Sequence, residues 1–336
     1  MKEFGREVKP FDLLAIFLKF STILLALAIS GIHTSPGAPS TKDSNEPMTT
    51  DDPAIRELGD GFKSGTARVN GATMHYIQGG TGPALILVHG FPEDWYEFHE
   101  IMPRLAKRFR VVAVDLRGIG GSKASRGGYD AANLAEDVNQ LVAKLKLDRI
   151  YIVGHDLGGM VTYAFVRRYP QITRGAMILD VPIPGIAGWD EIQGDPKVWH
   201  IRFMQVPGLA EKLVTGRSAD YLSYFFHFGN FTPRTVAHHV KAYTTLAQLH
   251  AAFEIYRAFP ANAEFNAAQR EKNDVPLLLA AGEQSPFARL VLKMAEDLRN
   301  HGCTQVETGQ IAGSVHYVVD DQPAAVADLI ERYASP

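Results

Sequence analysis

Short apolar runs alternate with longer helix-like stretches along the middle of the chain. The runs cover residues 84–88, 111–114, 150–153, 176–179 and 275–281, and each is followed by glycine, aspartate or histidine. Stretches with helical periodicity, residues 131–145 and 160–169, lie between several of them. Short runs that are apolar on both faces are typical of parallel strands buried between helices. The pattern predicts a mostly parallel sheet with helices on both sides.

An antiparallel hairpin is predicted ahead of these runs. Residues 67–69 and 72–78 have strand-like patterns, and Asn70 and Gly71 separate them. An Asn-Gly pair readily adopts the left-handed dihedral angles of a two-residue turn. We therefore expect the folded part of the chain to open with two antiparallel strands.

The interval from residue 182 to residue 272 breaks the alternation. It is long, rich in aromatic residues and mostly helical in pattern. We interpret it as a helical cap inserted into an α/β core made of residues 61–181 and 273–336. Open α/β sheets bind their ligands at the carboxyl ends of the strands, so the cap is expected to cover that edge.

The first 60 residues have a different character. Basic residues up to Lys19 precede an apolar run at 20–29, and small residues follow at 28, 30 and 31, which is the order of a secretory signal. We expect residues 1–30 to direct the protein to the periplasm or out of the cell, with an uncleaved membrane anchor as the alternative. Residues 31–60, rich in Ser, Thr, Pro and Asp, are interpreted as a flexible linker.

Composition narrows the class of partner. The 336 residues include 34 basic and 37 acidic ones, for a net charge of −3, so no basic field favours nucleic acid. A single cysteine, Cys303, excludes an internal disulfide and a multi-cysteine metal site. We expect a small-molecule substrate and no nucleic-acid partner; the oligomeric state is open, a homodimer included.

The first chemical motif is Gly154-His155-Asp156-Leu157-Gly158-Gly159, between an apolar run and a helical stretch. A strand, a glycine-flanked turn and a helix form a nucleophile elbow, in which serine usually holds the place of Asp156. The small flanking residues let neighbouring backbone come close, and a helix N-terminus favours an ionised carboxylate. The alternative is an ordinary loop in which Asp156 caps the helix.

A second motif, His89-Gly90-Phe91-Pro92, directly follows the run at 84–88. The backbone amides of Phe91 and Leu157 are well placed in such a fold to stabilise an oxyanion, although a plain structural turn is the alternative. Asp115-Leu116-Arg117-Gly118-Ile119-Gly120-Gly121-Ser122 follows the next run.

In this combination the chain resembles the epoxide hydrolase branch of the α/β-hydrolase superfamily, whose members carry HGFP, DxRGxGxS and GHDxGG in this order. The resemblance runs from about Gly71 to Tyr333. It implies an α/β-hydrolase fold with Asp156 as covalent nucleophile and a catalytic histidine after the last strand. His316, in Ala312-Gly313-Ser314-Val315-His316-Tyr317, matches that position, with a buried structural histidine as the alternative.

Two acidic residues are candidates to orient this histidine. Asp180 follows the run at 176–179, and Glu283 follows the run at 275–281; both positions are used within the superfamily. We favour Asp180 because Asp180-Val181-Pro182-Ile183-Pro184 resembles the corresponding step of the secreted Cif-type epoxide hydrolases.

The resemblance also implies ring-opening residues in the cap. Opening an epoxide creates an alkoxide that must be protonated, usually by two tyrosines in this family. Here His200 holds the place of the first tyrosine, and Tyr256, in Phe253-Glu254-Ile255-Tyr256-Arg257, matches the second. A His/Tyr pair is the arrangement of the Cif-type subgroup; aromatic packing is the alternative role.

Two rival functions follow from the same residues. Haloalkane and haloacid dehalogenases share the Asp–His–acid triad, and Trp199-His200 is similar to a halide-binding pair of the fluoroacetate type. Those enzymes place Trp or Arg after the nucleophile, where this chain has Leu157. A non-catalytic binding protein on the same fold is the third hypothesis. The sequence has no metal, nucleotide or flavin signature, and hydrolysis by this triad requires only an apolar substrate and water.

Overall fold

The computed structural model describes residues 52–334. The expected secretion signal at residues 1–30 and most of the expected linker lie outside these residues. None of the helices in the described range combines the length and apolarity needed to cross a lipid bilayer.

One mixed sheet forms the centre of the fold. Its strands are β1 (Lys63–Val69), β2 (Ala72–Gly79), β3 (Ala84–Val88), β4 (Arg110–Val114), β5 (Ile150–His155), β6 (Thr173–Leu179), β7 (Leu277–Gly282) and β8 (Val306–Ile311). The eight strands are ordered β1-β2-β4-β3-β5-β6-β7-β8. β2 pairs antiparallel with β1 and β4, whereas all other neighbours are parallel. The mostly parallel sheet predicted from the sequence is confirmed.

The first hairpin turns at the predicted pair. Val69 of β1 is registered with Ala72 of β2, which leaves two residues in the turn. Asn70 has φ 43° and Gly71 has φ 75°, so both occupy the left-handed region. Asparagine and glycine tolerate these angles better than other residues, which fixes the turn at this point.

Helices cover both faces of the sheet, and a further group of helices lies between β6 and β7 along the chain. The α-helices of the described range are α1 (Pro53–Arg56), α2 (Met102–Leu105), α3 (Ala131–Lys144), α4 (Leu157–Arg168), α5 (Trp189–Gln193), α6 (Trp199–Gln205), α7 (Leu209–Val214), α8 (Ser218–Phe226), α9 (Pro233–Lys241), α10 (Leu246–Arg257), α11 (Phe259–Ala268), α12 (Val291–Asn300), α13 (Val318–Asp321) and α14 (Pro323–Tyr333). Short 3-10 helices cover Trp95–Phe98, Pro170–Ile172, Pro196–Val198 and Ala288–Leu290. Helices α5 to α11 occupy the interval that the sequence assigns to the cap.

The sheet separates two hydrophobic cores. In β3, Ile86 packs into the core that includes Leu141 of α3 and Phe165 of α4. Its neighbour Leu87 points to the other face and belongs to the core that includes Ile330 of α14. Successive side chains of a strand point to opposite faces, so a strand that is apolar throughout is buried on both sides.

The expected linker ends earlier than residue 60. Asp52 caps the short helix α1, whose first residue is Pro53, and Ala54 and Ile55 are buried. Both side chains belong to the second core. The polar composition of residues 31–60 concealed these few apolar positions, which are enough to hold the segment against the core.

Candidate active site

Asp156 lies at a sharp turn between β5 and α4. Its backbone has φ 46° and ψ −122°, and its side chain makes no capping hydrogen bond to α4. A Cβ on Gly154 would lie 2.1 Å from the Gly158 carbonyl oxygen, and one on Gly158 would lie 2.0 Å from the Val88 oxygen. The turn therefore requires glycine at both positions, and the carboxylate stands clear of the helix that it precedes.

The Asp156 carboxylate meets the loop that follows β3. The Phe91 amide donates a hydrogen bond to Oδ1, with 3.0 Å between the nitrogen and the oxygen. Gly90 makes this approach feasible, since a Cβ there would lie 2.6 Å from the Asp156 Cβ. Leu157, the other predicted oxyanion donor, begins α4 and lines the same cavity as Asp156. The Asp156 carboxylate thus lies beside an amide donor and directly before the first residue of α4.

His316 and Asp180 complete a triad with Asp156. The His316 Nε2 atom lies 3.7 Å from Asp156 Oδ2, and its Nδ1 atom lies 2.7 Å from Asp180 Oδ2. Asp180 is buried at the end of β6 and also accepts hydrogen bonds from the Gly282 amide and the Ser285 hydroxyl. An ionised Asp180 holds the proton of His316 on Nδ1, which leaves Nε2 free to accept one.

Glu283, the alternative acid, lies elsewhere. Its side chain accepts a hydrogen bond from the Gly313 amide at 2.9 Å, and the residue is exposed. Of the two candidates, the structure therefore places Asp180 and not Glu283 on the imidazole.

An apolar cavity of about 410 Å³ lies above the triad. Asp156 and His316 form part of its wall, and both cap residues predicted from the sequence, His200 and Tyr256, line it as well. The ring centroids of His200 and Tyr256 lie 6.1 Å apart. Much of the remaining wall is apolar, including Leu157, Met160, Val181, Trp189, Ile192, Phe225, Phe259 and Phe287. A mostly apolar cavity with few polar groups is typical of a small-molecule site.

Both cap residues are neutral near pH 7. Burial lowers the pKa of His200 to about 4, against the opposing effect of the Asp156 charge. Burial, with the Asp156 charge, raises the pKa of Tyr256 well above its ordinary value. The Nδ1 atom of His200 is buried without a hydrogen-bond partner among the described residues. The cavity thus holds a phenol and a neutral imidazole that are able to bind a ligand oxygen.

The cavity wall has little positive charge. Among the described residues that line the cavity, Lys197, which is exposed, is the one lysine or arginine. Trp199 is absent from the wall, and its indole N–H donates to the Tyr224 hydroxyl at 3.2 Å. The Trp199-His200 pair therefore does not present two donors to one ligand, as a halide site requires.

A buried polar cluster behind the triad was not foreseen from the sequence. Glu93, Glu97 and His155 offer ligand atoms within 4.8 Å of one another, and Glu93 forms a second such group with His239 and Asp320. The carboxylates and imidazoles of these two groups have the donor chemistry of a cation site. His155 lies inside the elbow motif, and Glu93 and Glu97 closely follow His89-Gly90-Phe91-Pro92, but nothing in their spacing reveals that they meet.

Comparison with known proteins places the chain in a family. The family model for the alpha/beta hydrolase fold matches residues 83–323. The chain is 28% identical to a soluble epoxide hydrolase of Corynebacterium sp. (strain C12), over 80% of this chain and 96% of that protein. It is 32% identical to a fluoroacetate dehalogenase of Burkholderia sp., over 59% of this chain and 70% of the relative.

A comparison with solved structures indicates the same fold. Cfl2 of Burkholderia cenocepacia superposes with a TM-score of 0.77 at 30% identity, covering 84% of this chain and 97% of that one. With the matching family model, the eight-stranded sheet and the similarity to epoxide hydrolases, this chain belongs to the α/β-hydrolase superfamily.

Proposed function

We propose that the protein hydrolyses epoxides to vicinal diols through a covalent ester on Asp156. The observation that carries the proposal is the pair of neutral hydrogen-bonding groups, Tyr256 and His200, in the apolar cavity that also contains Asp156 and His316. Such a pair matches the need of an epoxide, whose ring oxygen gains charge as the ring opens. The similarity to soluble epoxide hydrolases supports the same assignment.

In the first step, Asp156 attacks one epoxide carbon. A carboxylate oxygen forms the new C–O bond, the ring C–O bond breaks, and its electron pair stays on the ring oxygen. Tyr256 transfers its phenolic proton to this oxygen, and His200 donates a hydrogen bond to it. The result is a hydroxyalkyl ester of Asp156.

In the second step, His316 deprotonates a water molecule that attacks the ester carbonyl. Asp180 orients the imidazole and stabilises its protonated form. The amides of Phe91 and Leu157 bind the developing oxyanion, each contributing on the order of 3 kcal/mol to lowering the barrier. Collapse of the intermediate breaks the bond to the substrate oxygen, which takes the proton from His316, and the diol leaves. The proton that remains on the Asp156 carboxyl group returns to the Tyr256 phenolate, which restores both groups for the next cycle.

Dehalogenation is the second candidate, favoured by the similarity to the fluoroacetate dehalogenase. A halogenated acid needs a cationic anchor for its carboxylate. Leu157 and Met160, where arginine would provide that anchor, lie in the cavity wall as apolar side chains. The cavity therefore suits an epoxide better than a halogenated acid.

Trapping the ester tests the proposal. A His316→Gln variant is incubated separately with a panel of epoxides, with fluoroacetate and with haloalkanes, and its intact mass is measured. We expect a mass increase equal to the epoxide, abolished by the further change Asp156→Ser. Adducts formed only from halogenated compounds would assign a dehalogenase, and the absence of any adduct would contradict covalent catalysis on these substrates.

A further inference from the structure

One buried carboxylate connects three of the loops that carry active-site residues, two of them directly and the third through the His155 ring. Glu97, in the 3-10 helix Trp95–Phe98, is fully buried, and its Oε2 atom accepts a hydrogen bond from the Gly90 amide at 2.9 Å. Its other oxygen, Oε1, lies 3.2 Å from Nδ1 of His155. On the far side of the same ring, Nε2 of His155 lies 2.9 Å from the backbone carbonyl oxygen of His316.

Each contact falls on or beside a residue of the reaction. Gly90 precedes Phe91, whose amide donates a hydrogen bond to the Asp156 carboxylate. His155 precedes Asp156 itself, and the carbonyl contacted by the ring belongs to His316. A displacement of about 1 Å in such groups is enough to slow a reaction a hundredfold. The connection from Gly90 through Glu97 and His155 to His316 is therefore placed to control reactivity.

The chemistry of the ring fixes the direction of these contacts. A carbonyl oxygen only accepts hydrogen bonds, so Nε2 of His155 carries a proton and donates to His316. The Nδ1 atom faces two carboxylates, Glu97 at 3.2 Å and Glu93 at 3.3 Å. Burial lowers the pKa of His155, but the nearby Glu97 and Glu93 carboxyl groups outweigh it and raise that pKa above its ordinary value. The His155 ring thus donates from Nε2 to the His316 loop and lies with Nδ1 against the carboxyl group of Glu97.

We propose that Glu97 is a positioning residue for hydrolysis of the aspartyl ester, acting through Gly90 on the Phe91 amide and through His155 on His316. The proposal rests on the proposed function. Ester formation needs Asp156 and the cap pair, whereas ester hydrolysis needs His316 and the oxyanion donors together. Loss of Glu97 should therefore slow the second step more than the first.

The test compares substitutions at Glu97 with the same substitutions at Glu100, an exposed glutamate three positions further on. Glu97→Met removes both contacts, whereas Glu97→Gln keeps a carbonyl for the Gly90 amide and places an amide beside Nδ1 of His155. Rapid mixing with an epoxide, acid quenching and intact mass spectrometry give the rates of ester formation and decay separately. Thermal unfolding of each variant is recorded in parallel.

We expect ester decay to slow about tenfold or more in Glu97→Met, with ester formation changed less than about threefold. Glu97→Gln should recover most of the decay rate, and Glu100→Met and Glu100→Gln should match the wild type. If Glu97→Met does not fold, Glu97→Asp is expected to give the same selective slowing, because a side chain shorter by one methylene group moves the carboxylate away from both contacts. Equal slowing of both steps, or unchanged decay in a folded variant, would overturn the proposal.

The His316→Gln variant separates this outcome from failure of the proposed function. If that variant traps no ester from any epoxide, the proposed function fails; if it does trap ester and the Glu97 variants decay normally, only the positioning role fails. Metal analysis of the purified protein adds a further check. One equivalent of bound divalent metal, with ester decay slowed by its removal, would overturn the proposal, because Nδ1 of His155 would then be a metal ligand.

Discussion

At the residue scale, the position of Asp156 depends on glycines that lack room for any side chain. The backbone of Gly158 packs against the end of β3, where an added Cβ would lie 2.0 Å from the Val88 oxygen. We expect Gly158→Ala to lower the free energy of unfolding by at least about 2–3 kcal/mol, because backbone must move to admit the methyl group. Urea denaturation measures the effect.

A matched control is Gly127→Ala. Nothing lies within 4 Å of a Cβ at Gly127, so this change should leave stability nearly unaltered. Equal effects at both glycines would contradict the close packing of the elbow.

Asp180 and Glu283 are distinguished by what they contact. Asp180→Asn removes the carboxylate that lies 2.7 Å from Nδ1 of His316, and we expect ester hydrolysis to slow by about 10⁴. Glu283→Gln changes an exposed side chain bound to Gly313, and should cost less than about threefold. Single-turnover decay of the ester measures both. Comparable losses in the two variants would show that Asp180 is not the sole acid of the triad.

His200 makes stability depend on pH. Its pKa of about 4 in the folded protein lies below that of an unfolded histidine, about 6.5. The unfolded chain therefore binds a proton that the native state does not, and stability is lost as the pH falls from about 6.5 towards 4. The loss reaches about 2–3 kcal/mol at pH 4.5.

The variant His200→Gln should lose correspondingly less stability between pH 7 and pH 4.5. Unfolding in urea at the two pH values measures this difference, and His227→Gln, at an exposed histidine, is the control. An unchanged pH dependence in His200→Gln would show that the imidazole is not held neutral by the cavity.

The residues of the proposed active site could be predicted from the sequence because they lie in short motifs next to predictable strands. Asp156, His316 and Asp180 meet in the structure, and His200 and Tyr256 line the same cavity as Asp156 and His316. Glu97 could not be anticipated. Its carboxylate reaches His155 only because β3 and β5 are neighbours in the sheet, and that adjacency is a property of the topology.

At the element scale, the cap helix α9 is attached to the loop after β3 through Asp94. The Asp94 carboxylate lies 2.8 Å from Nδ1 of His239 and 3.2 Å from Nε2 of His238. Burial raises the pKa of Asp94, but hydrogen bonds from the two histidines outweigh this and lower it far below its usual value. An interaction of this kind is stronger than a surface ion pair because it is shielded from water.

We expect Asp94→Asn to cost about 1–3 kcal/mol of stability and to speed hydrogen exchange in α9 relative to α3. Mass spectrometry of deuterium uptake measures the exchange, and Asp220→Asn, at an exposed cap residue, is the control. Equal exchange in the wild type and in Asp94→Asn would mean that apolar packing alone holds α9.

Strand β8 could not be predicted from the pattern of apolar residues. Its sequence, Val306 to Ile311, is buried only at its two ends, because the strand lies at the edge of the sheet. An edge strand pairs on one side only and can expose polar side chains, so it lacks the apolar run that marked the central strands. The central strands were predictable for the opposite reason, since burial on both faces demands apolar residues throughout.

At the scale of the whole molecule, two cores share one sheet. Ile86 and Leu87 are adjacent in β3, both are fully buried, and they belong to different cores. We expect Ile86→Ala and Leu87→Ala each to cost about 2–5 kcal/mol, with a single unfolding transition for both. Leu292→Ala, at a residue 73% exposed, should change stability by less than about 0.5 kcal/mol. Separate transitions in either core variant would indicate that the two faces unfold independently.

The insertion of the cap between β6 and β7 also has a consequence during synthesis on the ribosome. In the folded protein β6 pairs with β5 on one side and with β7 on the other. The roughly 100 residues between β6 and β7 take on the order of 5–20 s to translate, so β7 is made that much later than β6. Throughout that interval an apolar strand edge has no partner and can pair with another nascent chain. Slow translation through the cap should therefore favour aggregation of the unfinished chain, and chaperones that cover such an edge should raise the yield of folded protein.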